Sequence, residues 1–219
     1  MICCCTRFET ETKPKRNRHV HSPIFTNKKH LHKSTNQTKS MAATSATNGK
    51  VAKVWSRAAS PPLKYLSNFT HVPGSAGIPC IMPDGKTLYF RSIELAFHAH
   101  KFYYLCGGSR PDLAQRLSLF GELGNLTDGQ QKSVGGKGAM KKLKVALDVS
   151  RWNAQAVDLM DRLVIARAEV DTAYAMYCKD LVAAGYTIVH YVSRGGHDHL
   201  HLGPALQRLG QAMCRITAA

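Results

Sequence analysis

Three side chains with complementary chemistry follow one another at helical spacing near the middle of the chain. Glu94, His98 and Lys101 stand at positions i, i+4 and i+7, which lie on one face of an α-helix. A carboxylate, an imidazole and an amine that converge on one ligand can move protons, stabilise positive charge or bind phosphate. The same spacing is also typical of a solvated Glu-His-Lys face, so the residue types alone leave both interpretations open.

Two further segments contain residues that bind ions in other proteins. His197, His199 and His201 alternate, and on an extended strand the three rings would point the same way. No second ligand cluster accompanies them, and the seven cysteines form no CxxC pair, so we expect no metal site and no cofactor. The lysine-rich run at 137–144 lacks the Walker spacing and fits a phosphate site or a solvated helix face equally well.

Turn residues and apolar periodicity predict the elements that would position these groups. Two short apolar runs flank a Pro-Asp-Gly turn, which predicts a β-hairpin over 78–90. Ser92 is then the predicted N-cap of the helix that carries Glu94. Further helices are predicted over 111–120, 138–148, 153–169, 172–184 and 204–216, with a strand over 186–192. The predicted fold class is α+β, a mainly helical single domain with a small β-sheet.

Composition divides the chain at about residue 60. Residues 1–60 are rich in basic and small polar residues without apolar periodicity, so we predict a disordered basic segment followed by one domain over 61–219. A transit peptide, a basic arm and an upstream artefact, with Met41 as the real start, are equally compatible with the segment. No stretch approaches the ~18 apolar residues of a membrane-spanning helix. We therefore expect an intracellular protein, cytoplasmic or nuclear, with organelle targeting left open.

The charge of the chain and its cysteines limit the partners. The net charge of +16 suits a polyanionic partner, whether phosphate groups, a dinucleotide or nucleic acid. The odd number of scattered cysteines fits a reducing compartment, in which isolated cysteines act as small core residues.

Four segments share an order and spacing with one known family. They are LSNF at 66–69, YFRSIELAFHAHKF at 89–102, the stretch from Trp152 to Met160, and ALQRLGQAM at 205–213. This pattern resembles the NADAR family, also called YbiA-like N-glycosidases. The second segment is the most specific, because it matches the Tyr, the Ser, the Glu and most of the Gln-Ala-x-Lys-Phe element of that family. The matching residues are Tyr89, Ser92, Glu94, Ala99, Lys101 and Phe102.

The resemblance implies a YbiA-like fold and hydrolysis of a ribose C1-to-nitrogen bond in a phosphorylated nucleotide-like substrate. The implied substrates are ADP-ribosylated guanine, which includes ADP-ribosylated nucleic acid, and ribosylaminopyrimidine phosphates of early riboflavin synthesis. The basic surface favours the nucleic-acid class. Glu94 would stabilise positive charge at C1, activate water or engage the ribose hydroxyls, and Lys101 would form a Schiff base or neutralise a phosphate. The implied substrate-binding residues are Asn68, Phe69, Tyr89, Ser92, His98, Trp152 and Ser193.

Three departures from the family pattern bear on activity. His98 replaces a Gln, Asn153 replaces an acidic residue, and the loop at 193–203 lacks a Trp-Gly pair. Ser193 and Asp198 are the candidates for the Ser and the catalytic Asp of that loop. The alternative function is a catalytically silent module that binds nucleotide, ADP-ribose or nucleic acid, and an altered 193–203 loop would favour it.

Overall fold

The computed structural model describes residues 49–55, 58, 60–192, 196–198 and 201–218. All of them fall in one structural unit. Helices predominate and the strands are few, which confirms a mixed α+β class. In chain order the elements are β1 (Lys50–Val54), α1 (Pro61–Tyr65), β2 (Ile78–Ile81), β3 (Thr87–Phe90), α2 (Ile93–Lys101), α3 (Pro111–Arg116), α4 (Asp128–Val134), α5 (Lys137–Lys142), α6 (Val149–Val170), α7 (Thr172–Ala183), β4 (Tyr186–Val192), β5 (Gly196–Asp198) and α8 (Leu202–Ala218).

The larger of the two sheets has the strand order β1-β4-β5. β1 runs parallel to β4, and β5 pairs with β4 antiparallel. β1 lies inside the segment for which the sequence predicted disorder, and the prediction is wrong for 50–54. Its inward residues Ala52 and Val54 are buried, because β4 supplies the partner that so short a strand needs. Most of the remaining residues up to 60 lie outside the described part of the chain.

The second sheet is the β2-β3 hairpin, as predicted. Gly85 has a φ of 82°, in the left-handed region that glycine enters without steric cost. The backbone N–H of Met82 donates to the oxygen of Lys86 at 2.8 Å and closes the turn. The hairpin leads directly into α2.

Helix α2 lies at the centre of the fold. The Ser92 hydroxyl accepts a hydrogen bond from the backbone N–H of Leu95 at 3.2 Å, which confirms the predicted N-cap. Every residue from Ile93 to His100 is buried, so the helix has no solvated face along this length. Helix α6 packs against α2, β2, α7 and α8. A carboxylate, two imidazoles and an amine thus project from a helix that is otherwise core.

The other helices differ from the prediction mainly at their ends. α6 begins earlier because Asp148 caps it, accepting from the N–H of Arg151 at 3.1 Å. α5 ends at Lys142, and Lys144, with a φ of 55°, turns the chain out of the helix. α4 was not predicted, although its capping box of Thr127 and Gln130 is visible in the sequence. Among the helices that the structure describes, none is long and apolar enough to cross a membrane.

The cysteines of the described region are unpaired thiols. Cys80 and Cys178 are buried, as predicted for core residues, and burial raises the pKa of each to about 12. Cys214 is half-buried, and Cys106 is exposed, so the core prediction is wrong for Cys106.

Candidate active site

Glu94, His98 and Lys101 form a continuous line of polar contacts on α2. The Oε1 atom of Glu94 lies 2.9 Å from Nε2 of His98. The Nδ1 atom of the same imidazole lies 3.0 Å from Nζ of Lys101. Glu94 and His98 are buried and Lys101 is half-buried. The structure therefore joins the three residues directly, and the interpretation as a solvated face is wrong.

Asn68 approaches the same carboxylate from the loop that follows α1. Its side-chain Nδ2 donates to the second oxygen of Glu94, Oε2. The backbone N–H of Glu94 donates in turn to the oxygen of Asn68 at 2.9 Å. The Oδ1 atom of Asn68 is buried without a hydrogen-bond partner. An unpaired buried acceptor costs about 1–3 kcal/mol, so a ligand hydroxyl or N–H that reached this atom would relieve that cost.

Arg167, which the sequence analysis did not single out, holds the Asn68 loop in place. Its guanidinium donates to the backbone oxygens of Thr70 at 2.7 Å, Tyr65 at 3.3 Å and Ser67 at 3.4 Å. The side chain is fully buried, and Asp171 at 3.5 Å balances its charge. One guanidinium thus satisfies three carbonyl groups of an irregular segment, which a shorter or apolar side chain cannot do.

The environment shifts the pKa values of both charged residues of the line. Burial by itself raises the pKa of Glu94, but the hydrogen bond from His98 and the charges of His98, Lys101 and His190 outweigh it and leave the pKa below its usual value. Burial lowers the pKa of Lys101, and the charge of Glu94 opposes this only in part. The site therefore stabilises an ionised carboxylate and brings the lysine closer to the neutral amine.

Aromatic rings enclose the lysine. The Nζ atom of Lys101 lies 5.3 Å from the ring centre of Phe97 and 5.6 Å from that of Trp152. Trp152 is 6% exposed and meets Phe97 edge to face at 4.8 Å. The indole therefore belongs to the core and borders the site through Lys101, so it has little free face on which a base could stack.

A glycine of another element fixes the position of the imidazole. Gly135, the C-cap of α4, packs so closely on the ring that an added Cβ would lie 2.1 Å from Nδ1 of His98. Its φ of −111° is open to any residue, so the requirement for glycine at this position is one of space. α4 was absent from the predicted elements, and this contact was missed with it.

His190 on β4 is a second residue that sequence reasoning missed. Its side chain is buried on the same face of the strand as Ile188, and its charge contributes to the lowered pKa of Glu94. A histidine at an inward position of a β-branched strand was the available signal. Asp198 stands opposite His190 in the register of β4 and β5, which brings its backbone to this edge of the site. Ser193 and the side chain of Asp198 lie outside the described residues.

Three other predicted substrate-binding residues lie outside the line of Glu94, His98 and Lys101. They are Ser92, Phe69 and Tyr89. The Ser92 hydroxyl donates to Oε1 of Gln131 at 2.6 Å, so its bonds serve the helix cap and a buried contact. Gln131 in turn donates to the backbone oxygen of Phe69 at 3.1 Å and so supports the loop that carries Asn68. Phe69 is half-buried in that loop, and Tyr89 is 42% exposed on the hairpin. The structure thus joins Asn68 directly to Glu94, and it joins Ser92 and Phe69 to each other through Gln131.

The described residues contain no group of three or more His, Cys, Asp or Glu that could hold a metal ion. β5 ends at Asp198 and His201 lies in the turn before α8, so no single strand carries His197 and His201 together. His199 lies outside the described residues. The lysines of the run at 137–144 are exposed on α5 and after it, as expected of a solvated face.

Comparison with protein-family models, curated proteins and solved structures gives no match to the chain. The resemblance to the NADAR family therefore depends on the four sequence segments alone, and the distances within the site stand independently of that resemblance.

Proposed function

We propose that the chain is an N-glycosidase that hydrolyses a ribose C1-to-nitrogen bond in a phosphorylated nucleotide-like substrate. The observation that carries this proposal is the line of Glu94, His98 and Lys101, in which a buried carboxylate and a half-buried amine are joined by one imidazole. The resemblance of the surrounding segments to the NADAR family supports the reaction type and a YbiA-like fold.

Glu94 has the properties that cleavage of a glycosidic bond requires of a carboxylate. Departure of the base builds positive charge on C1 and the ring oxygen, and a fixed anion nearby lowers the energy of that transition state. One oxygen of Glu94 accepts from Asn68 and the other lies 2.9 Å from Nε2 of His98, so the carboxylate is oriented before the substrate arrives. The ionised form is favoured because the pKa of Glu94 is lowered.

Lys101 has the properties of a nucleophilic amine. An amine attacks C1 only when it is neutral, and burial shifts the pKa of Lys101 in that direction. A lysine that served only to bind phosphate would function best as a fully charged ammonium. The surroundings of Lys101 therefore favour the Schiff-base role. In that role the amine forms a C–N bond to C1 as the C1-to-base bond breaks and the base leaves with a proton; the ribose ring then opens to give the Schiff base, which water later hydrolyses to restore the amine.

The substrate that we favour is ADP-ribose on a guanine of nucleic acid. Exposed lysines at 137, 141, 142 and 144 present several positive charges on and after α5, and the chain as a whole carries +16. A polyphosphate or an oligonucleotide would gain from such a surface, whereas a single phosphate needs less of it. The ribosylaminopyrimidine phosphates remain the second substrate class to be assayed.

The experiment is incubation of the purified chain with an ADP-ribosylated guanine oligonucleotide and, separately, with a ribosylaminopyrimidine phosphate. We expect release of free base or sugar from at least one of them. Glu94→Gln should lower turnover by roughly 10² or more with binding retained, because it keeps the shape and removes the charge. The exposed Glu169→Gln on α6 is the matched control and should leave turnover unchanged.

Borohydride added during turnover should trap a covalent sugar adduct on Lys101 in the parent chain and none in Lys101→Ala. Turnover of both Glu94→Gln and Lys101→Ala within about threefold of the parent would show that α2 is not the catalytic element. Binding of ADP-ribose without turnover of either substrate would establish the silent binding module instead.

A further inference from the structure

The imidazole between Glu94 and Lys101 is placed to do more than hold the two apart. An ammonium has only donors and a carboxylate only acceptors, so each fixes the role of the ring nitrogen that it meets. With Lys101 charged and Glu94 ionised, Nδ1 of His98 accepts and Nε2 carries the proton. The contact of 3.0 Å then makes a direct polar path from the amine to the ring, and the carboxylate lies at ion-pair distance, 2.9 Å, from the other ring nitrogen.

We propose that His98 and Lys101 share one proton along this path, beside the carboxylate of Glu94. A constant fraction of Lys101 is then a free amine across the neutral pH range. The inference rests on the proposed function for the use of that amine. The sharing itself is a property of the unliganded chain.

The proton transfer balances between the two residues. A proton leaves Nζ of Lys101 for Nδ1 of His98, while the proton on Nε2 stays in place beside the ionised Glu94. One N–H bond breaks and one N–H bond forms. The ammonium and the neutral imidazole become an amine and an imidazolium, and the net charge of the site does not change. The result is a nucleophile and a proton donor side by side.

The surroundings favour the neutral amine more than water would. Burial lowers the pKa of Lys101, and Glu94, whose lowered pKa keeps it ionised, lies 2.9 Å from Nε2 of His98, where its charge stabilises a proton on the ring. Gly135 holds the imidazole from the side of α4, so the ring stays in the line that joins its partners.

Other groups near the path can alter where the proton resides. From β4, His190 acts on Glu94 by its charge, and from the turn before α8, His201 lies against Phe97 with 5.8 Å between ring centres. From the loop after α1, Asn68 contributes an uncharged amide to Glu94. From α6, the neighbour of the path is the uncharged ring of Trp152.

A shared proton has a signature that a simple lysine lacks. Between the two titration steps of a coupled pair, the equilibrium between its single-proton forms neither takes up nor releases a proton. The fraction of neutral amine is therefore independent of pH over that interval. A lysine without such a partner becomes neutral in one step, and its neutral fraction rises tenfold with each pH unit as long as the pH is below its pKa.

The test measures the rate at which an amine reagent, acetic anhydride, modifies Lys101 between pH 5.5 and 10, with peptide mass spectrometry as the readout. In the parent we expect two rises separated by a plateau. The exposed Lys132 on α4, measured in the same samples, is the reference for the reactivity of the reagent itself.

His98→Gln is the informative variant. Glutamine can donate to Glu94 and accept from Lys101 as the imidazole does, but it cannot take up a proton. The plateau should vanish and leave one rise, whereas a purely structural role of His98 would leave the shape of the curve unchanged.

A single rise for Lys101 in the parent would overturn the proposal. Failure of the reagent to modify Lys101 at any pH would also overturn it, because an amine closed to a small reagent cannot serve as the nucleophile. Both results are obtained from the parent alone, so the test does not depend on how well His98→Gln folds. No substrate is present, so a single rise overturns the proton sharing and leaves the N-glycosidase proposal standing, whereas an unreactive Lys101 overturns the sharing and the Schiff-base role together.

Discussion

Arg167 Nη1 lies 2.7 Å from the backbone oxygen of Thr70, and this hydrogen bond ties the C-terminal part of α6 to the loop that carries Asn68. The same guanidinium reaches the oxygens of Tyr65 and Ser67 and the carboxylate of Asp171. The loop that holds the unpaired Oδ1 of Asn68 beside Glu94 is therefore positioned by a residue about a hundred positions later in the sequence.

Arg167→Met should lower the free energy of unfolding by about 3–5 kcal/mol, since it leaves the buried Asp171 carboxylate without the cation that balances its charge. Urea unfolding followed by circular dichroism measures the change. Arg162→Met, at an exposed position of the same helix, is the control and should change stability by less than about 0.5 kcal/mol. Equal effects of the two substitutions would show that the buried network is not a stabilising element.

Gly135→Ala should cost about 1–3 kcal/mol of stability, because the added methyl group overlaps the His98 ring. Displacing the ring should also reduce turnover. Gly129→Ala lies in the same helix with open space around the new atom, and it should stabilise the chain by about 0.5–1 kcal/mol. Thermal unfolding of both variants measures these changes, and we expect Gly135→Ala to lower the melting temperature and Gly129→Ala to raise it.

Glu94 should contribute stability that depends on pH. Its pKa is lowered in the folded state, so the contribution is fully present above the unfolded value of about 4.3 and is lost as pH falls through the folded value. Between pH 6 and pH 3 the parent should therefore lose more unfolding free energy than Glu94→Gln. Parallel loss in the two chains, measured by urea titration at each pH, would contradict the lowered pKa.

Deletion of residues 1–55 should destabilise the domain, because it removes β1 and leaves β4 without its parallel neighbour. Loss of the fully buried Val54 alone corresponds to about 1.5–3 kcal/mol. Deletion of residues 1–44 stops before β1, and the composition of that segment predicts a melting temperature like that of the full chain. Similar melting temperatures for both deletions would show that β1 adds nothing.

Affinity for a single-stranded oligonucleotide should fall steeply as salt rises, if the exposed lysines on α5 contact phosphates. Replacing Lys141 and Lys142 together by Ala should weaken binding and make the salt dependence shallower, with a slope change of about 0.7 for each phosphate that the variant no longer neutralises. The double change Lys53→Ala with Lys86→Ala removes the same charge elsewhere and serves as control. Identical salt slopes for both double variants would exclude α5 as the contact surface.

The elements that depend on neighbouring residues were predictable from the sequence. The hairpin at 78–90, the Ser92 cap and the strand at 186–192 follow from turn chemistry and period, which act over a few residues. The spacing of Glu94, His98 and Lys101 predicted a shared helix face for the same reason, since 3.6 residues per turn is a property of the backbone itself.

Only the tertiary structure decided what surrounds that face. Asn68 meets Glu94, Gly135 meets His98 and Arg167 holds the Asn68 loop, and each contact joins residues separated by dozens of positions or more. Such contacts depend on how whole elements pack, and no local period encodes them. β1 shows the same limit, because its burial comes from a strand more than a hundred residues later. A helix pattern can place three side chains in a row, but burial among distant partners is what shifts their pKa values and joins them into one site.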